Sequence, residues 1–257
     1  MIIDDKYMAL TLGFGNFYGI DSLVEFLIIL VSFFISYYSY KIYKIIDEKN
    51  YKFLSLGFLL IGVSFIFKIL SNLTIMYRVA IERANFIYVI WTQFQYAEMI
   101  QFFSFIFFKT FHLIGFLILF LIVSKTDKKE KVLLFLYLSI IVVLFSIYFN
   151  FVFHMTLIFL IMSLTMHFYE NYKKIKSKNS LLVFTAFLIM LLSHVLFVIS
   201  DFNPLFYLVG EMGLLVGFLC LLTNQIYLRN KQKNGNKKNQ VRDNKRYAAG
   251  FAKKQKS

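Results

Sequence analysis

The stretch KIYKIIDEKNYK, residues 41–52, is a lysine cluster set between two long apolar runs, and reading outward from it decides the class of fold. Lys41, Lys44, Lys49 and Lys52 separate a run at 21–44 from a second at 51–73. The pattern recurs twice. Lys125, Lys128, Lys129 and Lys131 separate runs at 102–123 and 131–149, and Lys173, Lys174, Lys176 and Lys178 separate runs at 151–169 and 181–200; a seventh run covers 204–228. Each run is long enough to cross a bilayer as a helix, because ~20 residues at 1.5 Å rise match a hydrocarbon core of ~30 Å. The alternate gaps are poor in positive charge. The turn between the fourth and fifth runs and the Ser200 to Pro204 turn carry no Lys or Arg, and 74–98 carries only Arg78 and Arg83.

Lysine and arginine concentrate in the cytoplasmic loops of multi-pass proteins, so this alternation predicts an orientation as well as a fold. The reading is an all-α integral membrane protein of the cell membrane, with seven transmembrane helices, N-terminus outside and C-terminus in the cytoplasm. Residues 1–20 are then an extracytoplasmic segment, 21–228 the membrane domain and 229–257 a basic, disordered cytoplasmic tail. With Asp4 and Asp5 where a signal peptide has a basic region, the first run is expected to remain as an anchor.

Composition agrees. Hydrophobic residues make up 59% of the chain and charged residues 16%, with a mean hydropathy of +0.67; an ordinary soluble domain has about 25% charged residues. The net charge of +14 suggests nucleic acid, yet eleven of the 28 basic residues fall after Tyr227 with only Tyr247 and Phe251 interleaved, so no nucleic-acid partner is expected. Attraction to anionic inner-leaflet lipid, at ~1 kcal/mol per basic residue near the surface, accounts for such a tail. Cys220 is the single cysteine, which leaves no intrachain disulfide and no metal-ligand spacing.

An internal repeat is also expected. A shift of 129 positions lays Tyr40, Tyr43, Lys44, Lys49, Ser64 and Ser71 on Tyr169, Tyr172, Lys173, Lys178, Ser193 and Ser200; a shift of 102 then lays Gly115-Phe116-Leu117 on Gly217-Phe218-Leu219. Two three-helix halves in one orientation with the fourth helix as inverting linker make a parallel 3+1+3 repeat. Small sugar transporters and light-sensing opsins share this layout. The likeness ends there, since 204–228 holds no lysine for a retinal linkage and Pro204 is the one proline.

A charge at the centre of a membrane helix costs at least ~2.5 kcal/mol, so each such residue is a candidate for function. Glu25, Lys68, Lys109, His194 and Glu211 fall in one layer toward the outer face and are expected to line a polar pocket in which Glu25 and Glu211 pair with Lys68, Lys109 or His194, equal depth across the sixth-to-seventh turn allowing His194 and Glu211 to touch; His154 lies in the same layer and His112 nearer mid-depth. The aromatic-rich segment at 74–101, with Trp91 and Tyr96, is expected to lie at the outer interface, as an amphipathic helix or as a lid. Gly210, Gly213, Gly217, Cys220 and Asn224 recur at spacings of three and four, a stripe suited to close helix packing. The four histidines show no i, i+4 pair, so no metal is expected. No cofactor is expected either.

The sequence has no nucleophile elbow, no phosphate-binding glycine loop and no soluble domain, which argues against an enzyme. Two classes remain: a sensing or partner-scaffolding module with an outward pocket and a cytoplasmic output protein, or a transporter of small solutes or ions. The runs lack the broken helices common in transporters, which favours the first.

Overall fold

The computed structural model describes residues 20–83, 90–125, 128–200, 202–203 and 205–228, and gives the backbone alone for 75–83 and 90–95. Seven helices run through the described residues: α1 Ile20–Ile46, α2 Lys49–Arg83, α3 Ile90–Ser124, α4 Lys129–Phe145, α5 Asn150–Ile175, α6 Lys178–Ile199 and α7 Leu205–Leu228. Six of them contain segments long and apolar enough to cross a membrane: Ile20–Ile46, Lys49–Thr74, Tyr96–Ser124, Asn150–Ile175, Lys178–Ile199 and Leu205–Leu228. The chain is therefore an all-α membrane protein. The expected segment 1–20, except its last residue, and the 229–257 tail lie outside the described residues.

Three elements depart from the expected boundaries, the fifth run, read as 151–169, continuing as a helix to Ile175. The fourth run, read as 131–149, ends its helix at Phe145, and 17 residues reach only about 25 Å. The cause is local: the Ser146 hydroxyl donates to the Val143 carbonyl at 2.7 Å, Ser146–Tyr148 form a turn, and α5 begins at Asn150. The described parts of the 74–101 segment, 74–83 and 90–101, in contrast, continue the neighbouring helices. Helix α2 runs on to Arg83 and α3 starts at Ile90, because neither glycine nor proline interrupts residues 63–114.

Helix ends at the lysine clusters follow one design. Asp47, Lys125 and Lys176 each adopt the left-handed conformation, at φ 56°, 48° and 50°. Such a residue turns the chain out of a helix and returns its N–H to the last turn: Asp47 donates to the Tyr43 carbonyl and Lys176 to the Tyr172 carbonyl, both at 2.8 Å. Ser177 then caps α6 by accepting from the Ser180 N–H at 3.2 Å.

Helix α2 packs between α1 and α3, α3 also packs on α5, and α4 packs against α3 and α5. Helix α6 packs on α5 and on α7, while α7 meets α2 through Phe218, whose ring lies against Phe58 and Phe65. Lipid tails are as apolar as leucine, so helices in a bilayer associate by close packing rather than by hydrophobic transfer. The core shows this: Ile28, Ile61, Leu113, Leu157, Met190 and Phe218 are wholly buried, and the α2 and α3 backbones meet at Gly57 and Gly115. Several hydroxyls within the bundle turn back on their own helices, as where Ser39, Thr165 and Ser193 donate to carbonyls four residues earlier.

Candidate functional site

Lys68 stands on α2 one to two turns before Thr74, where the apolar part of that helix ends. Its ammonium lies 3.0 Å from Glu25 Oε1 of α1 and donates to Glu211 Oε1 of α7. Both carboxylate side chains are 0% exposed and that of Lys68 is 15% exposed. Asn72, four residues after Lys68 and so on the same face of α2, donates from Nδ2 to both Glu25 oxygens at 3.1 Å. The rings of Tyr207, Phe65, Phe108 and Phe197 surround the ammonium at 5.4, 5.6, 5.7 and 5.9 Å from their centroids, close enough for a favourable cation–π term. Three helices thus place two carboxylates on one ammonium inside the bundle.

His194 and Glu211, read as partners from their equal depth, do not bond. The small residues of α7 decide this. Gly210 lies against Phe197, and Gly217 against Met190 and the Ala186 carbonyl, so the glycine stripe faces α6. Glu211 sits about 100° round the helix from Gly210 and so turns toward α2 and Lys68. His194 instead shares a contact of 3.4 Å between its Nδ1 and His154 Nδ1 of α5; one ring must donate and the other accept. His112 of α3 joins this group, its ring 6.1 Å from that of His194 and its Nδ1 3.0 Å from the Ser64 hydroxyl. The rings of Phe65 and Phe108, which touch Lys68, also touch His112, and Phe197 touches His194. The ionic and histidine groups therefore share walls.

Lys109 takes no part in the ionic cluster. It is buried on α3, donates to the Ser146 carbonyl at 2.7 Å and lies 3.8 Å from the Phe105 ring centroid. That carbonyl is at the C-terminal end of α4, where orphaned carbonyls and the helix dipole both favour a cation. The stripe residues Gly213, Cys220 and Asn224 continue along α7: Gly213 lies on the Ser193 side chain, Cys220 packs half-buried against the core and Asn224 is buried. Asn72 and His112 belong to the site although the sequence reading did not place them in the pocket. For Asn72 the signal was its i, i+4 spacing from Lys68; for His112, its spacing of three from Lys109 offered none, since the two side chains point to different neighbours.

Two buried atoms here have no hydrogen-bond partner, Glu211 Oε2 and His194 Nε2. Among the described residues, no group of three or more His, Cys, Asp or Glu is arranged to hold a metal ion. Comparison with family models, curated proteins and solved structures gives no match to this chain.

Proposed function

We propose that the protein is a non-enzymatic sensing or partner-scaffolding module of the cell membrane. In this reading all seven helices cross the bilayer, N-terminus out and C-terminus in. The Glu25–Lys68–Glu211 cluster receives a small ligand or ion from the outer side, and the lysine-rich side with its basic tail meets anionic lipid and an output protein. The observation that carries it is that the ion pair of Lys68 with Glu211 joins the second helix to the seventh, so an event at the cluster changes how the two ends of the chain hold together. Orientation is supported by the three lysine clusters, which all lie at the helix ends opposite Glu25, Lys68 and Glu211.

A parallel 3+1+3 repeat belongs to this reading and is supported by contacts at equivalent positions. The shift of 129 carries Gly57, Ile61 and Phe65 onto Ala186, Met190 and His194, and the shift of 102 carries Gly115 and Phe116 onto Gly217 and Phe218. Gly115 packs on Ile61 and the Gly57 carbonyl; Gly217 packs on Met190 and the Ala186 carbonyl. Across the halves, Phe65 meets Phe218 at 6.4 Å and 89°, and their equivalents His194 and Phe116 meet at 6.3 Å and 90°. Asp47 and Lys176, both left-handed helix ends, are also 129 apart. In this frame Glu25, Lys68 and Glu211 correspond to His154, Phe197 and Lys109. One half-interface carries two acids and a lysine, and the other carries two rings and a lysine.

A second reading, transport of a small solute or ion, is favoured by the same location, since repeat-built transporters bind at the seam between halves. One experiment separates the two. Asn72→Cys in a Cys220→Ala background is treated with a membrane-impermeant thiol reagent applied to either face. Labelling from the outer face alone is expected of the sensor; labelling from both faces supports transport. A site that labels from neither face ends both readings.

A further inference from the structure

We propose that the Glu25–Lys68–Glu211 cluster binds one further unit of positive charge, a proton or a small monovalent cation, at the Glu211 carboxylate. The proposal rests on the reading of this cluster as the receiving site and specifies what it receives. Two carboxylates face a single ammonium, with both acids fully buried, so among the described residues the cluster is one positive charge short. An isolated buried charge is strongly disfavoured in a bilayer and is neutralised by a partner or by a proton.

The hydrogen bonds say which acid takes it. Both oxygens of Glu25 accept from Asn72, and Oε1 also meets Lys68. Glu211 is held through Oε1 only, while its Oε2 is buried without a partner. That oxygen is the open coordination position.

Among the described residues, the groups around the cluster do not supply the missing charge. From α1 come Glu25 and, one turn nearer the helix start, Asp21, both acids; from α2, Lys68, already engaged. From α3 come His112, bonded to Ser64, and Lys109, directed at the Ser146 carbonyl. From α5 and α6 come His154 and His194, bonded to each other, and from α7, Tyr207. Among the described residues, none of these histidines forms an ion pair with a carboxylate that would hold it charged. A charge arriving at Glu211 competes with Lys68 for the same carboxylate. Binding therefore loosens the bond between α2 and α7, which is how occupancy is transmitted.

The test uses the full-length protein in phosphatidylcholine–phosphatidylglycerol nanodiscs, with two measurements on the wild type. Equilibrium binding of radioactive sodium reads the cation arm, and the infrared C=O stretch of a protonated carboxyl, followed against pH, reads the proton arm. Saturable sodium binding lost in Glu211→Gln and kept in Glu170→Gln, an exposed acid of α5, assigns a cation. A protonated-carboxyl band lost in Glu211→Gln assigns the proton. Lys68→Met removes the competing ammonium and is expected to tighten sodium binding, or to raise the pH at which the band titrates. Wild-type protein that shows neither sodium binding nor a protonated carboxyl overturns the proposal, and so does a signal indifferent to both variants. Neither readout depends on access from a particular face, so a closed site and an uncharged site are distinguished.

Discussion

Lys68 and Glu211, 143 residues apart in the chain, form a hydrogen-bonded ion pair inside the bundle, and Glu25 stands on the other side of the same ammonium. The count of charges sets the order of mutational effects. Lys68→Met leaves two buried carboxylates facing each other, which by analogy with other broken buried pairs costs about 3–5 kcal/mol. Glu25→Gln or Glu211→Gln leaves a one-to-one pair and costs about 1 kcal/mol, the scale of one altered hydrogen bond. Unfolding in mixed micelles measures all three. A loss in Glu211→Gln as large as that in Lys68→Met would refute the count.

The α2–α3 contact leaves no room for a side chain at Gly115. A Cβ there would stand 2.9 Å from the Gly57 carbonyl oxygen and 2.6 Å from Ile61 Cγ1; Ile61 has other rotamers, but a backbone carbonyl moves only with its helix. Gly115→Ala is therefore expected to destabilise by about 1–3 kcal/mol, the usual range for overpacking. Gly217→Ala should cost less. Its nearest obstacle is the flexible Met190 side chain at 2.7 Å, with the Ala186 carbonyl farther off at 3.1 Å. The same unfolding assay compares them, and an equal or reversed order removes the argument.

Much of the architecture was legible in the sequence because apolar runs bounded by lysine clusters permit few alternatives. The ends of α1 and α6 at Ile46 and Ile199 lie within two residues of those read from the runs. What the lysines could not reveal was the extension of α3 back to Ile90, where weakly apolar residues meet no helix breaker, or the early stop of α4, which depends on how Ser146 folds back on Val143. The charged residues of the site and the need for their acids to pair were visible from their cost in lipid, but which of Lys68, Lys109 and His194 each acid takes was not. Depth along a helix follows from residue counting; rotation about it depends on packing. A turn of α7 set by Gly210 and Gly217 gives Glu211 to Lys68 and leaves His194 to His154.

Lys109 illustrates the same limit and gives a separate expectation. Its bond to the Ser146 carbonyl joins the middle of α3 to the end of the shortest helix, so Lys109→Met keeps the volume while removing the cap. Hydrogen exchange should then rise at residues 142–148, with a loss of about 1 kcal/mol in global stability. The ionic cluster is expected to be unaffected, because Lys109 does not touch it. Exchange that rises around Glu25 and Lys68 instead would show that Lys109 belongs to the cluster after all.

The proposed orientation rests on where twelve lysines fall. Lys41 to Lys52, Lys125 to Lys131 and Lys173 to Lys178 occupy three alternate connections, while the connections at 146–149 and 200–204 hold no basic residue. Clusters near membrane-helix ends resist translocation, so all three are expected on the cytoplasmic side, together with the tail. A reporter fused after Ser257 should be active only in the cytoplasm. Asn203, exposed in the turn before α7, lies at the opposite end of the bundle, and Asn203→Cys in a Cys220→Ala background should react with an impermeant thiol reagent on intact cells. Reaction that requires permeabilised cells would invert the topology and move the Glu25–Lys68–Glu211 cluster to the inner leaflet, where a cytoplasmic ligand would be the one it meets.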